Sequence, residues 1–282
     1  MVFEFHAPQS IDAAIALARQ HGDAARFIAG GTDLVIQIKR KRLEPQHLIS
    51  LAGLGLDTIR ETDSEFVIGA TATHNDVVFH PAFQKQLVAL TEASAVVGGR
   101  QIRNVATVGG NIVNASPAAD LVPVLLTLDA AVDLVGASGA RSVPLDDFLL
   151  DRGQTARRPD EVLTAVRFAR PTAASATAFL KGGRRKAMEI SVVCVAAHLA
   201  GPRAGQGYDT ARIAVGAAAS RTFRPAAAEQ LVARGGSFAE AGRIAAEAAS
   251  PIDDVRASAR YRRLLVATLV ERALACCRER LP

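Results

Sequence analysis

The sequence predicts an α+β chain whose N-terminal part is of the α/β type. One observation is a helical pattern flanked by strand-like apolar runs within residues 1–55, the order that forms a parallel sheet. The other is a C-terminal part in which three strand-like runs come before three helical ones, as in segregated α+β modules. Hydrophobic residues make up 49% of the chain and charged residues 22%, which indicates a globular rather than a disordered protein.

Residues 1–55 are predicted to form a β-α-β lobe. Ser10 is placed to cap a helix whose apolar residues recur at helical spacing until Gly22, a residue that commonly ends helices. A basic run at residues 39–42 is expected to be a solvated helix end, with a partner or phosphate surface as the alternative. The strand, short helix and strand that follow are predicted at Arg26–Ala29, Leu34–Lys39 and His47–Leu51.

Residues 56–170 are predicted to form a second lobe of strands and helices. Asn75 is a candidate N-cap for a short helix, because asparagine often occupies that position. The predicted strands of this lobe are Phe66–Ala70, Ala131–Gly136 and Asp160–Phe168, and its main predicted helices are 82–97 and Asp120–Ala130.

Residues 171–282 are predicted to form a small C-terminal domain that begins at Pro171. Turn-forming residues separate three strand-like runs, and runs rich in alanine, glutamate, arginine and leucine follow them. The predicted strands are Ala176–Lys181, Ile190–Leu199 and Arg212–Ala218, and the predicted helices are 225–234, 238–249 and 256–278.

Two pairs of adjacent glycines stand out, Gly30-Gly31 and Gly109-Gly110, and each lies between two apolar runs. Glycine allows positive φ and a close approach of the backbone to a ligand, and successive backbone N–H groups can form a concave anion site. Residues 30–34 would form such a site at the start of a short helix. Two facing loops of this kind could hold a diphosphate, although a tight turn is the alternative interpretation of each pair.

Other classes of function find little support in the sequence. Aromatic residues make up only 5% of the chain, and the excess of five positive charges is dispersed, which disfavours nucleic-acid binding. No signal peptide, membrane span, Walker loop, Rossmann fingerprint or catalytic triad is evident, so a cytoplasmic chain is expected. The three cysteines lack metal-ligand spacing and the six histidines are scattered, so no metal site is predicted.

Three stretches carry a resemblance to a known family: AGGTDL, TVGGNIVNASPAADLVPVLL and PIDDVRASARYR. They resemble the flavoprotein subunits of molybdenum hydroxylases, the xanthine dehydrogenase and carbon monoxide dehydrogenase family, in order and separation as well as in sequence. The resemblance covers nearly the whole chain. It implies a two-lobed FAD-binding domain of the PCMH type, followed by a small C-terminal domain of three antiparallel strands and a helix bundle.

The resemblance also implies where FAD would bind. Asp120 would hydrogen-bond the cofactor near its diphosphate and ribose, although helix capping is the alternative role for an acid at this position. Lys181 would tune the flavin ring, with a charged turn as the alternative, while Leu163 and Ile190 would lie at the ring. No catalytic residue is predicted. The full predicted FAD-binding set is Ala29, Gly30, Gly31, Thr32, Asp33, Leu34, Ala70, Thr107, Gly109, Gly110, Asn111, Ser116, Asp120, Leu163, Lys181 and Ile190.

The function implied by the resemblance is that of an FAD-dependent electron-transfer subunit. Substrate would be hydroxylated on a large subunit that carries a molybdopterin cofactor, and electrons would reach FAD through [2Fe-2S] clusters of a small subunit. A dimer of such heterotrimers is expected. Two other functions remain open, a stand-alone PCMH-type flavin oxidoreductase and a non-catalytic module that binds a nucleotide or a protein partner.

Overall fold

The structure, a computed structural model, describes residues 3–172, 174–185, 188–203 and 207–282. It confirms the α+β fold class: a parallel sheet, a five-stranded antiparallel sheet and a three-stranded antiparallel sheet follow one another along the chain. No helix among these residues is both long enough and apolar enough to cross a membrane.

The first lobe is built on a parallel sheet in which the strand order is β1-β3-β2. Helix α1 begins where predicted, because the Ser10 Oγ atom accepts a hydrogen bond from the Ala13 N–H group. Its buried residues are Ala14, Ile15 and Ala18, and the core cluster beneath it holds Ala14, Ala18, Ala25 and Ile49. The elements are β1 (Glu4–His6), α1 (Ile11–His21), β2 (Ala25–Ile28), α2 (Leu34–Lys39) and β3 (His47–Ser50).

The prediction that the histidines are scattered was wrong for three of them in this lobe. His6, His21 and His47 come from three different elements, and they lie in contact in the structure rather than scattered. Sequence reasoning missed the cluster because its members are 15 to 41 residues apart and meet only through strand pairing and the packing of α1 on the sheet.

The second lobe is organised by an antiparallel sheet of strand order β4-β5-β10-β6-β7. Helices pack on this sheet around a large apolar core that includes Phe66, Phe83 and Phe168. The strands are β4 (Ile59–Glu61), β5 (Glu65–Gly69), β6 (Ala131–Gly136), β7 (Gly139–Pro144), β8 (Leu149–Asp151), β9 (Gln154–Thr155) and β10 (Val162–Ala169). The helices are α3 (His74–Phe79), α4 (Pro81–Gln86), α5 (Val88–Ala95), α6 (Arg100–Arg103), α7 (Val108–Val113), α8 (Leu121–Thr127) and α9 (Leu145–Phe148).

Two predictions for this lobe were wrong. Asn75 does not cap α3, since Thr73 occupies the N-cap and forms a capping box with Asp76. The helix predicted over 82–97 is two helices, α4 and α5, which meet at the buried Leu87.

The C-terminal part has the predicted three antiparallel strands in a β11-β12-β13 meander. Along β12, Cys194 and Ala196 face the core of the second lobe, while Val193 and Val195 face the C-terminal helices. This alternation follows from the two-residue period of a strand and buries both faces of the sheet. The elements are β11 (Ser175–Gly182), β12 (Val193–Arg203), β13 (Gly207–Gly216), α10 (Ala226–Ala233), α11 (Phe238–Ala248) and α12 (Ala259–Arg280).

Candidate functional site

The first glycine segment, residues 29–34, and the second, residues 107–111, each pack directly against the backbone of another stretch of chain. A Cβ atom on Gly30 would lie 1.8 Å from the backbone oxygen of Val105, just before α7, and one on Gly109 would lie 2.7 Å from the Ala70 oxygen at the end of β5. Gly31 has a φ of 69°, which disfavours any residue with a side chain. Glycine is therefore required here by close backbone packing and by local conformation.

The first glycine segment offers free backbone donors. Its carbonyl groups accept from α2: the Val35 N–H group donates to the Gly31 oxygen and the Gln37 N–H group to the Asp33 oxygen. Among the hydrogen bonds of the described residues, none is donated by the backbone N–H groups of residues 30–34. Such a run of unpaired N–H groups is suited to an anion.

The second glycine segment is different, because its backbone donors are already used. The Gly110 N–H group donates to the capping Thr107 Oγ1 atom at 3.0 Å, and the Gly109 N–H group donates to the Ala70 oxygen at 2.8 Å. The expectation that both pairs form anion loops thus fits only the first pair. What the second segment offers is the Oδ1 atom of Asn111, which is buried and has no hydrogen-bond partner.

A buried ion pair lies between the second glycine segment and the C-terminal sheet. Asp120 stands at the N-terminal end of α8, but its side chain makes no capping bond. Instead its carboxylate accepts from the Lys181 Nζ atom at 2.6 Å and from the Ser191 Oγ atom at 2.5 Å. Burial raises the pKa of Asp120, and the Lys181 ammonium opposes that rise. Sequence reasoning did not find the partnership of Asp120 with Ser191.

A cavity of about 340 Å³ opens beside Lys181 and carries mostly positive charge. Glu189 is its acidic group, and it accepts hydrogen bonds from the Arg185 N–H group and the Arg184 Nε atom. Lys186, part of the basic run that drew attention in the sequence, is outside the described residues. The residues that line the cavity are Val96, Lys181, Gly183, Arg184, Arg185, Met188 and Glu189.

The other predicted site residues lie at the edges of these features. Ala70 and Leu163 are neighbours, because the Ala70 N–H group donates to the Thr164 oxygen where β10 bulges. The Ser116 Oγ atom accepts from the Ala118 N–H group in the turn before α8. Ile190 is 54% exposed and does not line the cavity, so it is the predicted residue least integrated into the site.

The segment from Asp254 to Arg262 supports the loop that lines the cavity. Arg262 is buried and donates to the oxygens of Val192 and Ala217 and to the Asp254 carboxylate at 2.7 Å. The Arg184 guanidinium reaches the Val255 oxygen at 3.4 Å. Burial acts to raise the pKa of Asp254, but hydrogen bonds from the Arg256 N–H group and from Arg262 lower it to about 2. No physical signal in the sequence identifies this support.

Comparison with known protein families finds matches to both parts of the chain. Residues 1–171 match the family described as the FAD binding domain in molybdopterin dehydrogenase, and residues 178–277 match the CO dehydrogenase flavoprotein C-terminal domain. The chain belongs to the FAD-binding subunits of molybdopterin dehydrogenases. This confirms the family resemblance and the assignment as an FAD-dependent oxidoreductase subunit.

Individual relatives extend the match of this FAD-binding subunit over its whole length. It is 31% identical to the carbon monoxide dehydrogenase medium chain of Hydrogenophaga pseudoflava over 277 residues, 96% of each chain. It is 40% identical to the nicotinate dehydrogenase FAD-subunit of Eubacterium barkeri over 196 residues, 68% of this chain and 66% of that one. A solved carbon monoxide dehydrogenase from Hydrogenophaga pseudoflava, lacking the Mo-pyranopterin moiety of its cofactor, superposes with a TM-score of 0.94 and 32% identity, covering 100% of this chain and 99% of that chain.

Proposed function

We propose that this FAD-binding subunit accepts electrons from iron–sulfur clusters of a partner subunit and passes them to an external acceptor. The observation that carries the proposal is a run of unpaired backbone N–H groups, residues 30–34, in a chain that belongs to this family. FAD, when bound, supplies the redox chemistry, and the protein binds and orients it.

The first glycine segment is proposed to hold the diphosphate. The backbone N–H groups of residues 30–34, which follow Ala29, are the donors that a doubly charged group needs, and no side chain of Gly30 or Gly31 stands in the way. Asn111 adds an acceptor for a hydroxyl group of the cofactor, because its buried Oδ1 atom lacks a donor. Thr107 and Gly109-Gly110 hold the helix from which Asn111 projects.

The residues beyond the diphosphate are proposed to fix the ribose and the ring. Lys181 and Ser191 orient the Asp120 carboxylate, whose remaining lone pairs can accept from hydroxyl groups. Since the charge of Asp120 offsets that of Lys181, the excess positive charge beside the cavity comes from Arg184 and Arg185. The remaining members of the proposed contact set are Thr32, Asp33, Ala70, Ser116, Leu163 and Ile190.

The partners are proposed from the composition of the chain and from the names of its relatives. A [2Fe-2S] cluster requires four protein ligands, whereas this chain has three cysteines, of which Cys194 and Cys277 are buried. Relatives are named medium chain and FAD-subunit. We therefore assign the clusters to a small subunit and the molybdopterin cofactor to a large one, in a cytoplasmic dimer of heterotrimers. Within this chain, we propose three units, residues 1–55, 56–170 and 171–282.

The test is to isolate the complex from the source cells through a tag on this chain. FAD, iron and molybdenum are then measured, and the flavin absorbance is followed when the iron–sulfur subunit is reduced. The proposal is supported if iron and molybdenum are present in fixed ratio to FAD. It also requires that the flavin absorbance falls on reduction only in the complex. FAD without iron or molybdenum would indicate a stand-alone flavin oxidoreductase. A chain that binds no FAD, alone or with its partners, would indicate a non-catalytic binding module.

A further inference from the structure

The three histidines of the first lobe form a compact cluster that includes no residue of either glycine segment. The rings of His21 and His47 stack with their centroids 3.6 Å apart, and His6 lies 5.3 Å from His47 and 5.4 Å from His21. The His6 Nε2 atom is 3.1 Å from the His47 Nδ1 atom. One ring nitrogen from each histidine can be chosen so that all three lie within 4.8 Å of one another.

The fold brings these side chains together at one end of the parallel sheet. Glu4 of β1 is in register with His47 of β3, and His6 projects from the same face as Glu4 because alternate residues of a strand share a face. His21 is the last residue of α1, the helix that packs on this sheet. Each of the three histidines is partly exposed, so the cluster is open to ions from solvent.

We infer that His6, His21 and His47 form a binding site for a divalent transition-metal ion, with Zn²⁺ as the reference case. Neutral imidazole is a preferred ligand of zinc, nickel and copper, whereas magnesium and calcium prefer oxygen. Zinc–nitrogen bonds of about 2.0–2.1 Å in a tetrahedral site place two ligand nitrogens about 3.4 Å apart. The 3.1 Å between His6 Nε2 and His47 Nδ1 is close to that spacing.

The surroundings of the cluster suit a cation. The Glu4 carboxylate lies 3.5 Å from the His47 Nδ1 atom and 3.8 Å from the His6 Nδ1 atom, where it can complete the ligand set or orient the imidazoles. The C-terminal end of α1, next to His21, carries the negative end of the helix dipole. Binding turns the rings out of their stack so that three nitrogens face one ion.

The bound ion would act as a structural metal that stabilises the first lobe. The buried cluster beneath α1 has only four members, Ala14, Ala18, Ala25 and Ile49, far fewer than the core clusters of the rest of the described chain. Small cores are often reinforced by a structural metal, and binding energy gained only in the folded state adds to stability. Because β1, α1 and β3 would be joined through one ion, the site stabilises the lobe that carries Gly30 and Gly31 without touching FAD.

The test uses the full chain with no histidine tag, loaded with FAD and freed of metal by a chelator. Zn²⁺ and Mg²⁺ are titrated by calorimetry into the natural chain and into the His21→Gln and His80→Gln variants. His80 is the matched control, since it lies in the second lobe, beside Phe83. Circular dichroism and flavin content verify that each variant is folded.

The expected result is one Zn²⁺ per natural chain, no binding of Mg²⁺, and an affinity reduced by more than about 100-fold in the His21→Gln variant. His80→Gln binds Zn²⁺ as the natural chain does, and Zn²⁺ raises the Tm of both but not that of His21→Gln. Co²⁺ in the natural chain gives the visible absorption of a tetrahedral site, and Zn²⁺ abolishes it. Absence of that absorption, or equal Zn²⁺ affinity in His21→Gln, overturns the inference and leaves only a stack of imidazole rings.

Discussion

The Lys181 Nζ atom lies 2.6 Å from the Asp120 Oδ2 atom, and this buried ion pair joins the second lobe to the C-terminal sheet. The two side chains are 13% and 8% exposed. Removing one partner of a buried ion pair leaves an uncompensated charge, which costs far more than a surface pair contributes. The pair therefore fixes the position of the carboxylate proposed to face FAD and also stabilises the contact between the second lobe and the C-terminal sheet.

Replacement of Lys181 by methionine should destabilise the FAD-free chain by about 3 kcal/mol at pH 8. Burial raises the pKa of Asp120, and loss of the ammonium raises it further, so the folded variant takes up a proton as pH falls. The loss of unfolding free energy should therefore be smaller at pH 5.5 than at pH 8, as measured by urea unfolding.

The matched control for this prediction is the double variant Lys181→Met with Asp120→Asn, which has no buried charge at this position. It should recover part of the stability lost at pH 8 and should show no extra dependence on pH. If Lys181→Met alone loses the same unfolding free energy at both pH values, packing and not the charge of Asp120 is responsible for the loss.

Replacement of Gly30 by alanine should lower the unfolding free energy by at least about 2 kcal/mol and reduce FAD content. The new Cβ atom would lie 1.8 Å from the Val105 oxygen, so the backbone of one segment has to move. Gly99→Ala is the control, because its Cβ atom would meet the ends of the Gln101 and Met188 side chains at 3.4 and 3.6 Å. Equal losses in the two variants, measured by denaturant unfolding and flavin absorbance, would contradict the packing argument.

Replacement of Asn111 by leucine should separate stability from FAD binding. The FAD-free chain should keep or gain stability, because the variant removes a buried oxygen that lacks a hydrogen-bond partner. The Kd for FAD should rise about tenfold, the effect of losing one hydrogen bond to the cofactor. Titration by flavin fluorescence measures the Kd, and an unchanged value would exclude Asn111 from the FAD contacts.

Asp254 should contribute stability that depends on pH. Its pKa is lowered to about 2 in the folded chain, against about 4 for an unfolded aspartate, so its contribution is present above pH 4 and is lost as pH falls toward 2. The difference in unfolding free energy between the natural chain and Asp254→Asn should shrink over that range. A difference that stays constant down to pH 2 would show that the carboxylate charge does not support Arg262.

Much of the local structure could be predicted because local patterns determine it. The helix Leu34–Lys39 has the predicted bounds, and α1 has the predicted cap, Ser10, since apolar periodicity and capping are both short-range signals. The short strands β8 and β9 were not predicted, because segments of two or three residues carry no periodicity and exist only through pairing. The glycine pairs were found because adjacent glycines are conspicuous, but the sequence did not reveal that only the first pair has free donors.

By itself, the sequence determined the fold class and the family, and it indicated the segments proposed to carry the cofactor site, since these depend on periodicity and on short motifs. Only the tertiary structure decided which polar groups meet. Asp120 is 61 residues from Lys181 and 71 from Ser191, and His6 is 41 residues from His47. Such contacts depend on how sheets and helices pack over a common core. A local pattern of residues does not predict that packing.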